Sequence, residues 1–213
     1  MISEYQQQLR ERFLAAPVVP APAPWRPLPG PDSYISVGGL FGVGFASHPV
    51  SGDDLLMVVS SQGRGLLDAS SGAKIARDRD PDRELCEPFG ADLSCPGLGP
   101  LAGVQVRIAG LFGGGLHSTT EDGWTLDVVA PDWPNHRVLL STDGGLHRGL
   151  PGGTWWHIFH SNYSELRAAG FSPSGRTLVI ATSSDVTLMP RPDHGLWPSL
   201  PPCDPTKTEP FPR

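Results

Sequence analysis

The chain has 213 residues, a net charge of −6 and 38% hydrophobic residues, which suits one globular domain with a real core. No basic stripe is present to neutralise phosphates, which argues against nucleic-acid binding. The polar N-terminus lacks the apolar stretch of a signal peptide, and the longest aliphatic run, residues 55–59, is too short to cross a membrane. We therefore expect a cytoplasmic protein with no nucleic-acid or membrane partner.

The composition points to a bacterial source and a turn-rich fold. Arginine supplies all but two of the 16 basic residues, and 26 glycines and 24 prolines are present, a bias typical of GC-rich bacterial genomes. Proline is concentrated near both ends of the chain, and glycine is distributed through the middle. Glycine at these positions is typical of tight turns between short strands. Cys86 and Cys95 could pair across their loop, but three cysteines make no framework and we expect free thiols.

Residues 1–16 are predicted to form one short amphipathic helix. Ile2, Tyr5, Leu9 and Phe13 recur three or four residues apart, and Ser3 can cap the first turn. A helix this short is marginal alone in water, so its apolar stripe must dock on its own domain or on a partner. We favour its own domain.

Two proline-rich segments flank the central region, residues 17–33 around Trp25 and residues 191–213 around Trp197. Such sequences adopt extended polyproline II structure and can recruit proline-reading domains. The alternative is a strap laid over the domain with each tryptophan holding it down. We favour the strap.

The region between them, residues 34–190, is predicted to be an all-β repeat domain. Short apolar or alternating segments separated by turn residues indicate strands, and no segment shows a sustained helical period. The predicted strands lie at 35–46, 55–61, on both sides of the Ser-Ser-Gly turn within 65–77, and at 123–131, 136–144, 154–161 and 176–189.

Internal repeats are the most informative feature of this domain. GLFGVGF (39–45) recurs as GLFGGGL (110–116), and AAGFSPSGRTLVIATSSDVTLM (168–189) shares its turn, apolar strand and Ser-Ser with residues 43–68. The third copy resembles a blade of the WD-repeat β-propeller family. That resemblance implies three or four blades packed by their sheets, and it carries no functional residue.

The departures from that family shape the fold prediction. The terminal Trp-Asp pair is absent, and the recognisable copies are fewer than a closed ring needs. We therefore predict a small or incomplete β-propeller-like repeat architecture with one N-terminal helix. An open β-sandwich is the alternative.

No catalytic, metal or cofactor site is predicted. Gly42-Val43-Gly44 lacks the helix and lysine of a phosphate loop and is attributed to close strand packing. The acidic run from Asp78 to Glu84 lacks the glycine and glutamate of a calcium loop. His157 and His160 are three apart on a predicted strand, which places them on opposite faces. GFSPSG (170–175) is a repeat turn and does not fit a nucleophile elbow.

Four residues are predicted to contact a partner. Trp133 lies in a proline-flanked loop between two strands, where a large side chain has little core to enter, and His136 and Arg137 follow it. Packing of Trp133 against a proline-rich strap is the competing explanation. Trp155 and Trp156 adjoin on a strand, so their rings face opposite ways and Trp156 is the candidate for a neighbouring sheet or a partner.

These features favour a non-catalytic protein–protein interaction module of a bacterium. An immunity protein or antitoxin that neutralises a toxin, a subunit of a defence or regulatory assembly, and pairing with a second copy of the chain all fit. An enzyme with dispersed His, Asp and Arg residues is the first alternative. A small-molecule or glycan sensor is the second.

Overall fold

The computed structural model of the protein describes residues 3–29, 33–79, 87–88 and 91–192. These residues form one α-helix near the N-terminus, and their remaining regular structure is β-strand apart from one short 3-10 helix. The prediction of a mostly-β fold with one N-terminal helix is therefore confirmed. Ile2, Cys86, Cys203, Trp197 and most of the predicted C-terminal strap lie outside the described residues.

The elements follow one another as short strands after the helix. Helix α1 spans Glu4–Ala15, and a short 3-10 helix spans Gly99–Leu101. The strands are β1 (Ile35–Ser36), β2 (Leu40–Ser47), β3 (Asp54–Ser60), β4 (Gly63–Asp68), β5 (Lys74–Asp78), β6 (Ser94–Pro96), β7 (Gln105–Arg107), β8 (Ala109–Gly110), β9 (Thr125–Asp132), β10 (Asn135–Ser141), β11 (Trp155–His160), β12 (Leu166–Phe171), β13 (Thr177–Thr182) and β14 (Asp185–Pro190).

Within the described residues, the strands form four open antiparallel sheets. The central sheet has the order β1-β14-β13-β12, the three-stranded sheet β11-β10-β9, and the five-stranded sheet β5-β4-β3-β2-β8. Strands β6 and β7 form a separate hairpin. Most neighbours are consecutive in the chain, as expected where tight turns join short strands.

The central sheet lies between the two larger sheets. All six residues of β13 are buried. Leu178 and Ile180 pack in one apolar cluster with Val138 and Leu140 of the three-stranded sheet. The alternate residues, Val179 and Ala181, pack on the other side in a cluster with β2 and β3 of the five-stranded sheet. A strand buried on both faces typically has a continuous apolar run, and residues 178–181 of β13, LVIA, form one.

Two further elements cover the outer faces of this stack. Phe13 and Ala16, at the end of α1, pack on Leu139 and Trp155 of the three-stranded sheet. The β6–β7 hairpin covers the far face of the five-stranded sheet in a separate apolar cluster. Among the described residues, these layers stack in a line with open sheets, and a closed propeller ring is not formed.

Helix α1 begins as predicted and docks on its own domain. The Ser3 hydroxyl accepts the Gln6 backbone N–H at 3.2 Å, and the Gln6 side chain accepts the Ser3 N–H at 2.9 Å. This reciprocal pairing is a capping box. Phe13 is buried and Leu9 packs beside it, whereas Tyr5 is largely exposed.

The N-terminal proline-rich segment is a strap on sheet edges over its described part. Val18 forms a parallel bridge to His157 of β11, and the Leu28 N–H donates to Leu188 of β14 at 3.0 Å. Between these contacts Trp25 is fully buried, against Phe171 and Trp124. Covering an exposed edge strand protects it from pairing with other chains. Residues 17–29 thus lie along the surface of the domain, with Trp25 inserted into it.

The predicted repeats differ in how well they persist in the structure. The third copy forms β12, β13 and β14 in succession, with Phe171, Leu178 and Ile180 buried as predicted. The first copy forms the matching series β2, β3 and β4. In the second copy, only Gly110 of GLFGGGL is in a strand, and that strand pairs with β2.

The glycines of the first copy allow close strand approach, as predicted. A Cβ atom on Gly42 would lie 2.5 Å from the Ala109 carbonyl oxygen, and one on Gly44 would collide with the Arg107 carbonyl oxygen. Both obstacles are backbone atoms, which cannot rotate away. Gly115, the residue matching Gly44 in the second copy, has no neighbour among the described residues within 4 Å of such an atom.

This pair provides a matched test of close packing at β2. Gly44→Ala is expected to destabilise the fold by about 1–3 kcal/mol, because β2 must move away from the Arg107 segment. Gly115→Ala is expected to change stability by no more than about 0.5 kcal/mol. Urea unfolding measures both. Equal effects of the two substitutions would contradict the packing described for β2.

Candidate functional site

The turn between β9 and β10 presents the most exposed tryptophan in the described part of the chain. Asp132 pairs with Asn135 across this hairpin, which leaves Trp133 and Pro134 at the turn. Trp133 is 78% exposed. Its ring contacts His136 edge-on, with ring centroids 5.8 Å apart. The competing explanation, burial of Trp133 against a proline-rich strap, is wrong for the described residues.

The base of this turn is held by polar contacts. The Arg137 guanidinium lies 3.4 Å from Asp132 through its Nε. The His136 N–H donates to the Ser161 hydroxyl at 2.7 Å, and the Ser161 N–H donates back to the His136 carbonyl oxygen at 2.9 Å. Trp133 is therefore fixed at its backbone while its ring stays in solvent.

The other predicted contact residues are less accessible than Trp133. Arg137 is only 7% exposed, and its Nη1 donates to the Phe13 carbonyl oxygen of α1 at 3.1 Å. Trp156 is half-buried against Trp124, with ring centroids 5.9 Å apart. Trp155 and Trp156 do face opposite sides of the sheet. The structure thus brings Trp133 and His136 together and places Arg137 beneath α1. Trp156 lies against Trp124, which also contacts Trp25 of the strap.

The prediction that His157 and His160 lie on opposite faces of a strand is wrong. Val138 pairs with Phe159 and Leu139 pairs with His157, so Ile158 is an extra residue in β11. Such a bulge restores odd-spaced side chains to one face. The two imidazole centroids are 6.0 Å apart on the face that α1 covers. Spacing alone could not reveal the bulge.

His157 is a buried histidine beneath the helix. Its Nδ1 lies 2.9 Å from the Ala16 carbonyl oxygen, so this nitrogen must carry the proton and donate it. Within the described residues Nε2 has no hydrogen-bond partner. Burial lowers the pKa of His157, and the nearby positive charge of Arg137 lowers it further, against the raising effect of the Ala16 carbonyl.

A second histidine supports the other side of the same helix. His147 lies edge-on to Phe13 and Trp155, at 5.1 and 5.7 Å between centroids, and its Nε2 is 3.4 Å from an Asp127 carboxylate oxygen. Burial lowers the pKa of His147 and raises the pKa of Asp127. Arg12 of α1 donates to the His147 carbonyl oxygen at 2.6 Å.

The loop that carries His147 is organised by one carboxylate. Asp143 accepts the backbone N–H groups of Leu146, His147 and Arg148 at 2.9 to 3.2 Å. Partial burial acts to raise the pKa of Asp143, but the hydrogen bonds from the Arg148 and His147 N–H groups and the Thr154 hydroxyl outweigh it, and the pKa is lowered. Asp143 therefore stabilises the conformation of its own loop.

The chemistry open to these groups is limited by their surroundings. General acid–base catalysis needs the group within hydrogen-bonding reach of a substrate. His147 and His157 are covered by Phe13, Trp155 and the end of α1. Among the described residues, no group of three or more His, Cys, Asp or Glu side chains is arranged to hold a metal ion.

Comparison with known proteins gives no relative from which a role could be transferred. No protein-family model, curated protein or solved structure matches the chain. In the part of the chain that the structure describes, no helix combines the length and the apolar character needed to span a membrane.

The buried histidines predict a pH-dependent stability. As the pH falls below about 6.5, the unfolded chain binds protons that His157 and His147 exclude in the folded chain, so the free energy of unfolding should decrease. His157→Asn keeps an N–H near the Ala16 carbonyl and removes the titration, so its stability should fall less steeply. Urea unfolding at a series of pH values measures both slopes.

The exposed His117 provides the control for this experiment. His117→Asn should retain the steep pH dependence of the unsubstituted chain. If His157→Asn and His117→Asn show the same dependence as the original chain, His157 is not held neutral beneath the helix.

Proposed function

We propose that the protein is a non-catalytic protein–protein interaction module of the bacterial cytoplasm, and that it binds its partner through the turn around Trp133. The observation that carries this proposal is an indole 78% exposed on a turn whose base is fixed by Arg137, Asp132 and Ser161. A tryptophan at such a site contributes nothing to the core, and interface energy is concentrated in residues of this type.

The rigidity of the turn supports a binding role. A side chain carried by an ordered backbone loses little conformational freedom when it meets a partner. Pro131 and Pro134 flank the tryptophan and restrict the backbone further. The Trp133 ring can therefore enter a pocket on the partner without reordering the hairpin.

The partner that we propose is another protein, of the kind that an immunity protein or antitoxin neutralises or that a defence or regulatory assembly contains. The net charge of −6 favours a partner with a basic surface, because opposite charges speed association. A second copy of this chain would carry the same acidic charge, so we rank it behind a basic partner.

We also propose that two segments of three consecutive strands, β2-β3-β4 and β12-β13-β14, descend from one propeller-like repeat. The support is the matching succession β2-β3-β4 and β12-β13-β14, together with the sequence likeness of these two segments. The open stack would then be a scaffold in which repeated sheets hold loops rigidly. This origin carries no catalytic implication.

An enzyme remains the second candidate because one pair of groups favours it. The Asp127 carboxylate and His147 imidazole lie 3.4 Å apart, which is the kind of pair that general-base chemistry uses. Phe13 and Trp155 enclose this imidazole, so α1 would have to move before a substrate could reach it. We therefore place the binding role first.

Substitution of Trp133 tests the proposed role. Trp133→Ala is expected to weaken partner binding by about 2 kcal/mol or more. Its stability is expected to change by no more than about 0.5 kcal/mol, because the ring packs on so little. The partner is captured from the native host with the unsubstituted chain, identified, and titrated against each variant by calorimetry.

Tyr163→Ala is the matched control, since Tyr163 is 95% exposed on a different loop. It should leave both affinity and stability unchanged. If Trp133→Ala binds the partner as tightly as Tyr163→Ala does, or if it loses stability instead of affinity, the proposed contact is wrong.

A further inference from the structure

An open cleft lies beside the N-terminal strap. The strap forms one wall, and the start of β3 and the adjoining ends of β13 and β14 form the other. Its volume is about 1170 Å³, somewhat above the usual range of small-molecule sites. The charged residues that line it are Arg26, Arg176, Arg191, Asp53 and Asp54.

Two of these arginines are neighbours across the central sheet. Thr177 pairs with Pro190, and one residue beyond this pair the Arg191 N–H donates to the Arg176 carbonyl oxygen at 2.8 Å. Residues directly opposite one another in an antiparallel pair project to the same side. Like charges in this position are destabilising. Asp122 compensates the charge of Arg191, whereas Arg176 forms no ion pair within the described residues, so an anion is favoured beside Arg176.

Other contacts orient both guanidinium groups. Arg176 donates to the Gly52 carbonyl oxygen at 3.0 Å and to the Ser174 hydroxyl at 3.3 Å. Arg191 forms an ion pair with Asp122, and its guanidinium carbon lies 4.9 Å from the centre of the buried Trp25 ring. Each guanidinium has five N–H donors, so these contacts leave donors for a ligand.

The third arginine comes from the strap. Arg26 follows the buried Trp25, is exposed, and forms no ion pair or hydrogen bond within the described residues. Of the two aspartates, Asp54 is buried and accepts a 2.5 Å hydrogen bond from the Ser174 hydroxyl. Asp54 is thus engaged with the turn that positions Arg176.

We propose that this cleft binds a phosphate-bearing small molecule through Arg26, Arg176 and Arg191. Guanidinium groups match the oxygens of phosphate with paired hydrogen bonds, and charge-assisted bonds of this kind are the strong ones. Three arginines from separate segments surround one cavity with room for more than the phosphate itself. The site is remote in sequence from Trp133 and does not depend on the proposed protein partner.

Titration with inorganic pyrophosphate tests the site in the full-length protein. Pyrophosphate should bind with a Kd of about 1 mM or tighter and raise the melting temperature, at an ionic strength held constant with sodium chloride. Arg26→Gln should weaken this binding about tenfold, the effect of losing one charge-assisted contact. Arg26 is exposed, so this variant should fold as the original chain does.

Arg148→Gln is the control, because Arg148 is exposed on the loop that Asp143 organises and its loss changes the net charge equally. It should bind pyrophosphate as the original chain does. Arg176→Gln should weaken binding as Arg26→Gln does. The site is disproved if pyrophosphate does not bind at millimolar concentration, or if Arg26→Gln and Arg176→Gln bind it as tightly as Arg148→Gln.

Discussion

Burial of β13 on both faces is the constraint on which the other layers depend. Leu178 and Ile180 face the three-stranded sheet, while Val179 and Ala181 face the five-stranded sheet. Each of those sheets is open at its edges and would expose an apolar face alone. The central sheet therefore gives both neighbours a surface to bury against, and the hydrophobic effect holds the stack together. Helix α1 and the β6–β7 hairpin then close its two ends.

The N-terminal segment joins these layers from outside. Its helix covers the three-stranded sheet, its strap bridges β11 and β14, and Trp25 enters the core between them. The surface beneath the end of α1 is partly polar. There Arg137 donates to the Phe13 carbonyl oxygen and His157 donates to the Ala16 carbonyl oxygen. Those bonds satisfy groups that a helix end leaves unpaired. The hairpin turn beyond the helix is left uncovered among the described residues, with the indole of Trp133 in solvent.

The sequence predicts the strands, the helix and the strap because each depends on local chemistry. The alternating and apolar runs in residues 176–182 indicate a strand, and the Ser3 cap indicates the start of a helix. The prolines around Trp25 indicate an extended segment, although they leave open whether it packs on the domain or binds a proline-reading partner. The stacking order depends on contacts between distant segments, and no pattern in one segment encodes it. Ile158 is a similar case: the bulge that puts His157 beside His160 arises from pairing with β10. The sequence left open whether Trp133 is exposed or packs against a strap, and the burial of Arg137 depends on the docking of α1.

Amide hydrogen exchange of the native protein tests the central claim most directly. If β13 holds the stack together, its amides should exchange only through global unfolding, with a protection free energy equal to the free energy of unfolding measured in urea. The amides of α1 should exchange through smaller openings that leave β13 protected. Exchange of the β13 amides at a free energy well below that of global unfolding, together with those of one neighbouring sheet, would contradict the account.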